Sequence, residues 1–231
     1  MNRWVGPGLG ALLLAACHAP LRPSAPAGAP GPAPGSAPVP GPSLEDLAAA
    51  VAADARQADR ASDANARASL ADEAQRNADA CLERAPEAAA CLYYHAVALG
   101  LQARAHPARA GELLKRMLDA LSRADAADPE YDEAGPARVR ALVLARAPAW
   151  PLGPGDPDAA VAAARRAISL RPQFPPNVLA LGEALMRSGD ARGAEDCYAR
   201  ARDLALEQPA APDRDDWLRE AEQGLRRDKP R

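Results

Sequence analysis

The feature that most restricts this chain is a pair of amphipathic helical stretches that recurs along it. Residues 175–206 read PPNVLALGEALMRSGDARGAEDCYARARDLAL. Val178, Leu181, Gly182 and Leu185 fall on one helical face, Gly189-Asp190 interrupts the pattern, and Ala194, Tyr198 and Ala201 resume it. Two helices joined by a tight glycine turn make an αα-hairpin. Such a hairpin has one apolar face that it cannot cover by itself, so it needs neighbours. Thirty-four residues upstream, Gly155-Asp156 stands in the place of Gly189-Asp190, and Ala160, Ala164 and Ala167 in the places of Ala194, Tyr198 and Ala201. Pro86, Pro129 and Pro172 each end a similar helix at a spacing of 43 residues. Leu99, Leu142 and Leu185 align as the large buried residue of each first helix, and Ala96, Val139 and Gly182 as the small one.

The small and large residues of 175–206 resemble the tetratricopeptide (TPR) pattern, a 34-residue helix–turn–helix unit. The expectation is an all-α, TPR-like solenoid of about four αα-hairpins with a C-terminal capping helix. The two 43-residue units carry nine residues more than the standard length. Leu99 and Leu142 both lie 18 residues before the next helix's first packing position, against 9 for Leu185. This places both insertions in the joints between helices. Ser43-Leu44-Glu45-Asp46 has the form of a capped helix start. Helices are expected at 44–60, 64–84, 87–105, 108–126 and 136–146. A last one runs from an Asp213 cap through Trp217, Ala221 and Leu225.

Three segments follow: 1–16, 17–42 and 43–231. Residues 1–16 hold Arg3 and a short apolar run around 9–16, too short to span a bilayer and read as a signal peptide. Leu14-Ala15-Ala16-Cys17 resembles the bacterial lipobox, which implies a diacylglycerol on the Cys17 sulfur. Acyl chains contribute about 0.8 kcal/mol per buried CH₂, so several of them anchor a protein stably. His18, where an inner-membrane retention signal would place Asp, points to the outer membrane. Residues 18–42 are Pro, Ala, Gly and Ser with almost no charge and read as an extended tether.

A net charge of −3 without a basic stripe argues against nucleic acid. His18, His95 and His106 do not cluster, and the chain has no HExxH, CxxC or GxSxG. His95 shares its helix face with Leu92 and Leu99 and reads as a packed side chain. Gly153-Pro154-Gly155-Asp156 is a poor phosphate cradle, because Pro removes a donor and Asp repels the anion. No cofactor, metal site or catalytic residue is expected, and the chain does not read as an enzyme. Cys81 and Cys91 flank the Pro86 turn, where antiparallel helices bring them within bonding distance. A disulfide and two free thiols are both open there. Cys197, beside Tyr198, is expected to be a buried thiol.

In TPR proteins the inner face of each first helix makes the binding groove. By register that face includes Tyr93, Val97, Leu179, Glu183 and Met186. It lacks the Lys and Asn of carboxylate-clamping repeats and suits an apolar ligand or a partner's helix. Tyr93, Leu179 and Met186 could equally fill the core between repeats.

Three longer stretches go beyond a generic repeat: CLYYHAVALG, DPEYDEAGPARVRALVLARAPAWPLGPGD and AISLRPQFPPNVLALGEAL. Their distinctive parts are Gly135-Pro136, the Pro148, Pro151, Gly155 and Asp156 loop, and Pro175-Pro176-Asn177. Together they resemble the T component associated with TRAP (tripartite ATP-independent periplasmic) transporters, over about half of the chain. The resemblance implies a lipid-anchored, periplasm-facing protein in the envelope of a Gram-negative-type bacterium. It implies docking to a solute-binding protein, a hydrophobic ligand, and a homo-oligomer, such as a trimer. A TPR scaffold for envelope assembly without a small ligand is the alternative.

Overall fold

The computed structural model describes residues 41–227. The expected signal peptide, the lipid attachment at Cys17 and nearly all of the 17–42 tether lie outside the described residues. Within them the fold is an all-α helical-repeat stack of four αα-hairpins and a final helix. The helices are α1 (Leu44–Arg60), α2 (Ala64–Arg84), α3 (Ala89–Ala105), α4 (Ala110–Ala127) and α5 (Tyr131–Arg146). They continue as α6 (Pro157–Leu170), α7 (Pro175–Ser188), α8 (Ala191–Leu206) and α9 (Arg214–Arg227). No described helix is long and apolar enough to cross a membrane.

The caps explain where the helices begin. Ser43 Oγ accepts from the Asp46 N–H at 3.0 Å while Asp46 Oδ2 accepts from the Ser43 N–H at 2.8 Å, a reciprocal box that satisfies two of the helix's free donors. Asp63, Asp156 and Asp190 cap α2, α6 and α8 by accepting from the N–H of Ala66, Ala159 and Gly193. Gly189 ends α7 at φ 92°, the left-handed conformation that a residue without Cβ adopts at no steric cost.

Each hairpin packs on the next, with α3 against α1 and α2, α5 against α3 and α4, and α7 against α5 and α6. Helix α9 covers α8 and α7 at the open end. The first hairpin meets through Val51, Ala52, Ala55, Ala71, Ala74 and Ala78, all buried. Alanine at these places lets the two backbones approach closely at a modest apolar area. Helix α3 has helices on several sides, so it is apolar nearly all round. Leu99, Leu142 and Leu185 are buried in successive first helices, as the repeat register requires.

Both insertions lie at the joints, and the choice between added helix and loop, which the sequence left open, falls differently in the two. Relative to α7 and α8, α3 is longer at its end and α4 longer at its start by about one turn each, and only a short 3₁₀ turn, Pro107–Arg109, separates them. Nothing in 103–111 breaks a helix until Pro107, so helix propagation absorbs most of the added chain. The second insertion is a loop, residues 147–156, because Pro148, Pro151 and Pro154 forbid helix there.

Helix α5 begins earlier than the expected 136–146. Asp132, Glu133 and Ala134 form a left-handed turn (φ 50°, 56° and 63°), and the right-handed helix follows from Gly135-Pro136.

Candidate functional site

Two features hold the residues that the sequence singles out. The first is a buried polar knot where α3, α5 and α7 meet. A left-handed residue other than glycine costs roughly 1–2 kcal/mol, because Cβ crowds the following carbonyl. Three in succession need compensation, and Arg138 supplies it. One turn further along α5, its guanidinium donates to the Asp132 carbonyl (3.1 Å), the Asp132 carboxylate (2.8 Å) and the Glu133 carbonyl (2.9 Å). It also donates to Asn177 Oδ1 at 3.1 Å. Asn177 Nδ2 in turn lies within donating distance of the carbonyls of Glu133 (3.1 Å), Arg171 (3.1 Å) and Ala167 (3.3 Å). Tyr93 Oη on α3 donates to Asp132 Oδ2 at 2.8 Å.

Apolar contacts continue the knot in both directions. The Tyr93 ring meets Tyr94 and Tyr131 edge-on at 5.3 and 5.4 Å between centroids. Arg138 lies over the Phe174 ring, 5.1 Å from its centre, and Phe174 meets Trp217 of α9 edge-on. One continuous set of contacts therefore ties three successive repeats to the cap. Gly135 is tight by necessity: a Cβ there would come within 3.0 Å of Asp132 and the Tyr93 ring. Burial pushes the Asp132 carboxyl up to about 7, against the pull of Arg138 and the Tyr93 hydroxyl.

This geometry corrects the expected groove. Tyr93, Val97 and Leu179 are fully buried, so they fill the core between repeats and line no open channel. Glu183 is spoken for as well: Arg146 donates to it through Nε at 2.7 Å and through Nη2, and both side chains are largely buried. Burial acts to lower the Arg146 guanidinium, the bonds to Glu183 act to raise it, and the net direction is upward. Met186 is half-buried against the core around α7, α8 and α9. Register alone did not distinguish the faces of α3 and α7, because each of these helices packs on several neighbours.

Cys81 and Cys91 are joined by a disulfide with their Cα atoms 5.3 Å apart, tying the end of α2 to the start of α3. Cys197 is half-buried, where full burial was expected, and burial pushes its thiol up. His95 is half-buried with Nδ1 3.4 Å from Asp79, and burial holds its pKa below the usual range.

The second feature is the 147–156 loop. The Gly155 N–H donates to the Pro148 carbonyl (2.7 Å) and the Asp156 N–H to the Leu144 carbonyl (3.0 Å), which closes the loop on the end of α5. Leu152 N–H and Gly153 N–H both donate to Ala149. A Cβ on Gly155 would lie 2.1 Å from the Ala147 carbonyl oxygen, and one on Gly153 would strike Pro148. The Trp150-Pro151 peptide is cis. The backbone bonds and the two crowded glycines hold the loop with Trp150 (84% exposed) and Leu152 (75%) out in solvent.

The residues of the distinctive motif thus divide between the two features. Gly135, Pro136 and Asn177 belong to the knot, with Pro175 opening α7 beside it. Pro148, Pro151, Gly155 and Asp156 belong to the loop. Asp132 and Arg138 were missed as a pair. The available signal was an arginine set between Ala137 and Val139, six residues after an aspartate. No family model matches this chain, and no curated protein matches it.

Proposed function

We propose that this chain is a membrane-tethered helical-repeat protein of the bacterial cell envelope that works as a T-type accessory of a TRAP-like uptake system, docking its solute-binding protein. The observation that supports the reading is the construction of the motif residues. Gly135, Pro136 and Asn177 stiffen the stack internally, and Pro148, Gly155 and Asp156 shape a loop that carries two exposed apolar side chains. A stiff body with a shaped apolar projection suits docking to another protein.

The test uses the full-length protein, crosslinked and purified from its own host membranes. A periplasmic solute-binding protein is the expected companion, and the protein partitions into detergent through Cys17. Absence of any binding protein, or partition into the aqueous layer, overturns the reading.

The burial of Tyr93, Val97 and Leu179 favours a second reading, a scaffold for envelope assembly that takes no small ligand. Native mass spectrometry separates the two and reads the oligomer. A lipid-like added mass, in a trimer or another homo-oligomer, supports the transport accessory. A clean apo species that brings down assembly proteins supports the scaffold.

A further inference from the structure

We propose that the 147–156 loop is the docking point for a soluble protein partner, which covers Trp150 and Leu152 with an uncharged apolar pocket. The inference rests on the docking reading above and gives it a place on the molecule.

The loop is unlike the joints at the same end of the stack. Helices α1, α3, α5 and α7 run in the same direction, so their ends share one face with residues 61–63, 106–109, 147–156 and 189–190. The other joints are short. The 147–156 loop is the long one, and it leans on the start of α4, where Gly111 approaches the Leu152 carbonyl. Its Trp150 and Leu152 are exposed although the loop is closed by four backbone hydrogen bonds and two glycines with no room for a side chain. Their exposure is therefore built into the loop's shape. A large aromatic carried on a backbone fixed in advance has only its own rotamers left to order on docking, which suits an interface anchor.

Charge argues for a protein over a lipid surface. Glu112, Asp156, Asp158 and Asp190 are exposed at this end together with Arg109, Arg187 and Arg192. The mixture gives no net attraction to an anionic bilayer, whereas a protein rim can match it residue by residue. Arg84 donates to the Pro42 carbonyl and Cys81 lies beside Leu44, so the chain enters the body at the end away from the loop.

The test places a photo-crosslinking amino acid at position 150 of the full-length protein in its own host, with position 206 as the control. Leu206 is 51% exposed at the opposite end of the stack. The expected result is one protein adduct from position 150 and none from position 206. That protein, purified and mixed with full-length chain, binds Trp150→Ala at least about thirty-fold more weakly than wild type, as an interface hot spot requires, and Leu206→Ala as wild type. Adducts at 150 with lipid or with a second copy of the chain overturn the inference, and so does affinity unchanged in Trp150→Ala. If a binding protein co-purifies while Trp150→Ala binds it normally, the docking site is wrong and the docking function stands. If no partner is recovered by either route, both fall.

Discussion

Arg138 reaches back over Gly135-Pro136 to hold the Asp132 carboxylate at 2.8 Å, with both side chains buried. The same guanidinium holds two carbonyls of the left-handed turn, so one side chain both neutralises the charge and fixes the strained backbone. Above about pH 7, where the Asp132 carboxyl is ionised in the wild type, replacing Arg138 by Met leaves it buried without its counter-charge. Breaking a buried pair from one side costs about 3–5 kcal/mol. Urea unfolding of Arg138→Met against wild type measures it. The double variant Arg138→Met with Asp132→Leu should lose less than the sum of the singles, since the two residues share one network.

The pH dependence has a definite sign. The folded Asp132 carboxyl titrates at about 7, above its unfolded value of 3.8. Between those values the folded state holds a proton that the unfolded state has released. The stabilisation from this group is therefore fully present below about pH 4 and is lost as pH rises through 7. Asp59 is shifted in the same direction by burial, opposed by Arg104. Asp132→Asn cannot titrate, so its unfolding midpoint should fall less steeply than wild type between pH 4 and 8. Parallel slopes for the two proteins would contradict the assignment.

The Cys81–Cys91 bridge closes a loop with a sequence separation of 10. A loop of this size stabilises by about 2–3 kcal/mol through the unfolded chain. Reduction, or Cys81→Ala with Cys91→Ala, should lower the urea midpoint by the corresponding amount. Thiol counting on denatured, unreduced protein lacking Cys17 should find one free thiol, that of Cys197.

Gly155→Ala puts a methyl group where the Ala147 carbonyl oxygen already stands. The obstacle is backbone and cannot swing aside, so the loop must open. Overpacking of this kind costs about 1–3 kcal/mol. Gly111→Ala, where the nearest atom would be at 3.2 Å, should cost less. Thermal unfolding of the two variants side by side gives the order.

The repeat was legible because helical periodicity, Pro stops and Asp caps are local signals. Helices α1 and α2 match their expected bounds at both ends, since Ser43 and Asp63 cap them through bonds spanning three residues. Leu99, Leu142 and Leu185 are buried as their register predicts, because the same packing problem recurs in each hairpin. The local rules also indicated that 147–156 is not helix, prolines being incompatible with one.

Tertiary structure decided what those signals left open. Whether the first insertion extends helices or loops out depends on whether neighbours cover the added turns. Whether Tyr93 and Leu179 face a groove or a core depends on how closely the next repeat approaches, which no single helix encodes. The pairing of Arg138 with Asn177 needs α5 and α7 side by side, since residues 39 positions apart meet only once the hairpins stack. Local sequence specifies each hairpin because its bonds are short-range, and the knot that joins hairpins forms only when burial brings distant polar groups together with no water to satisfy them.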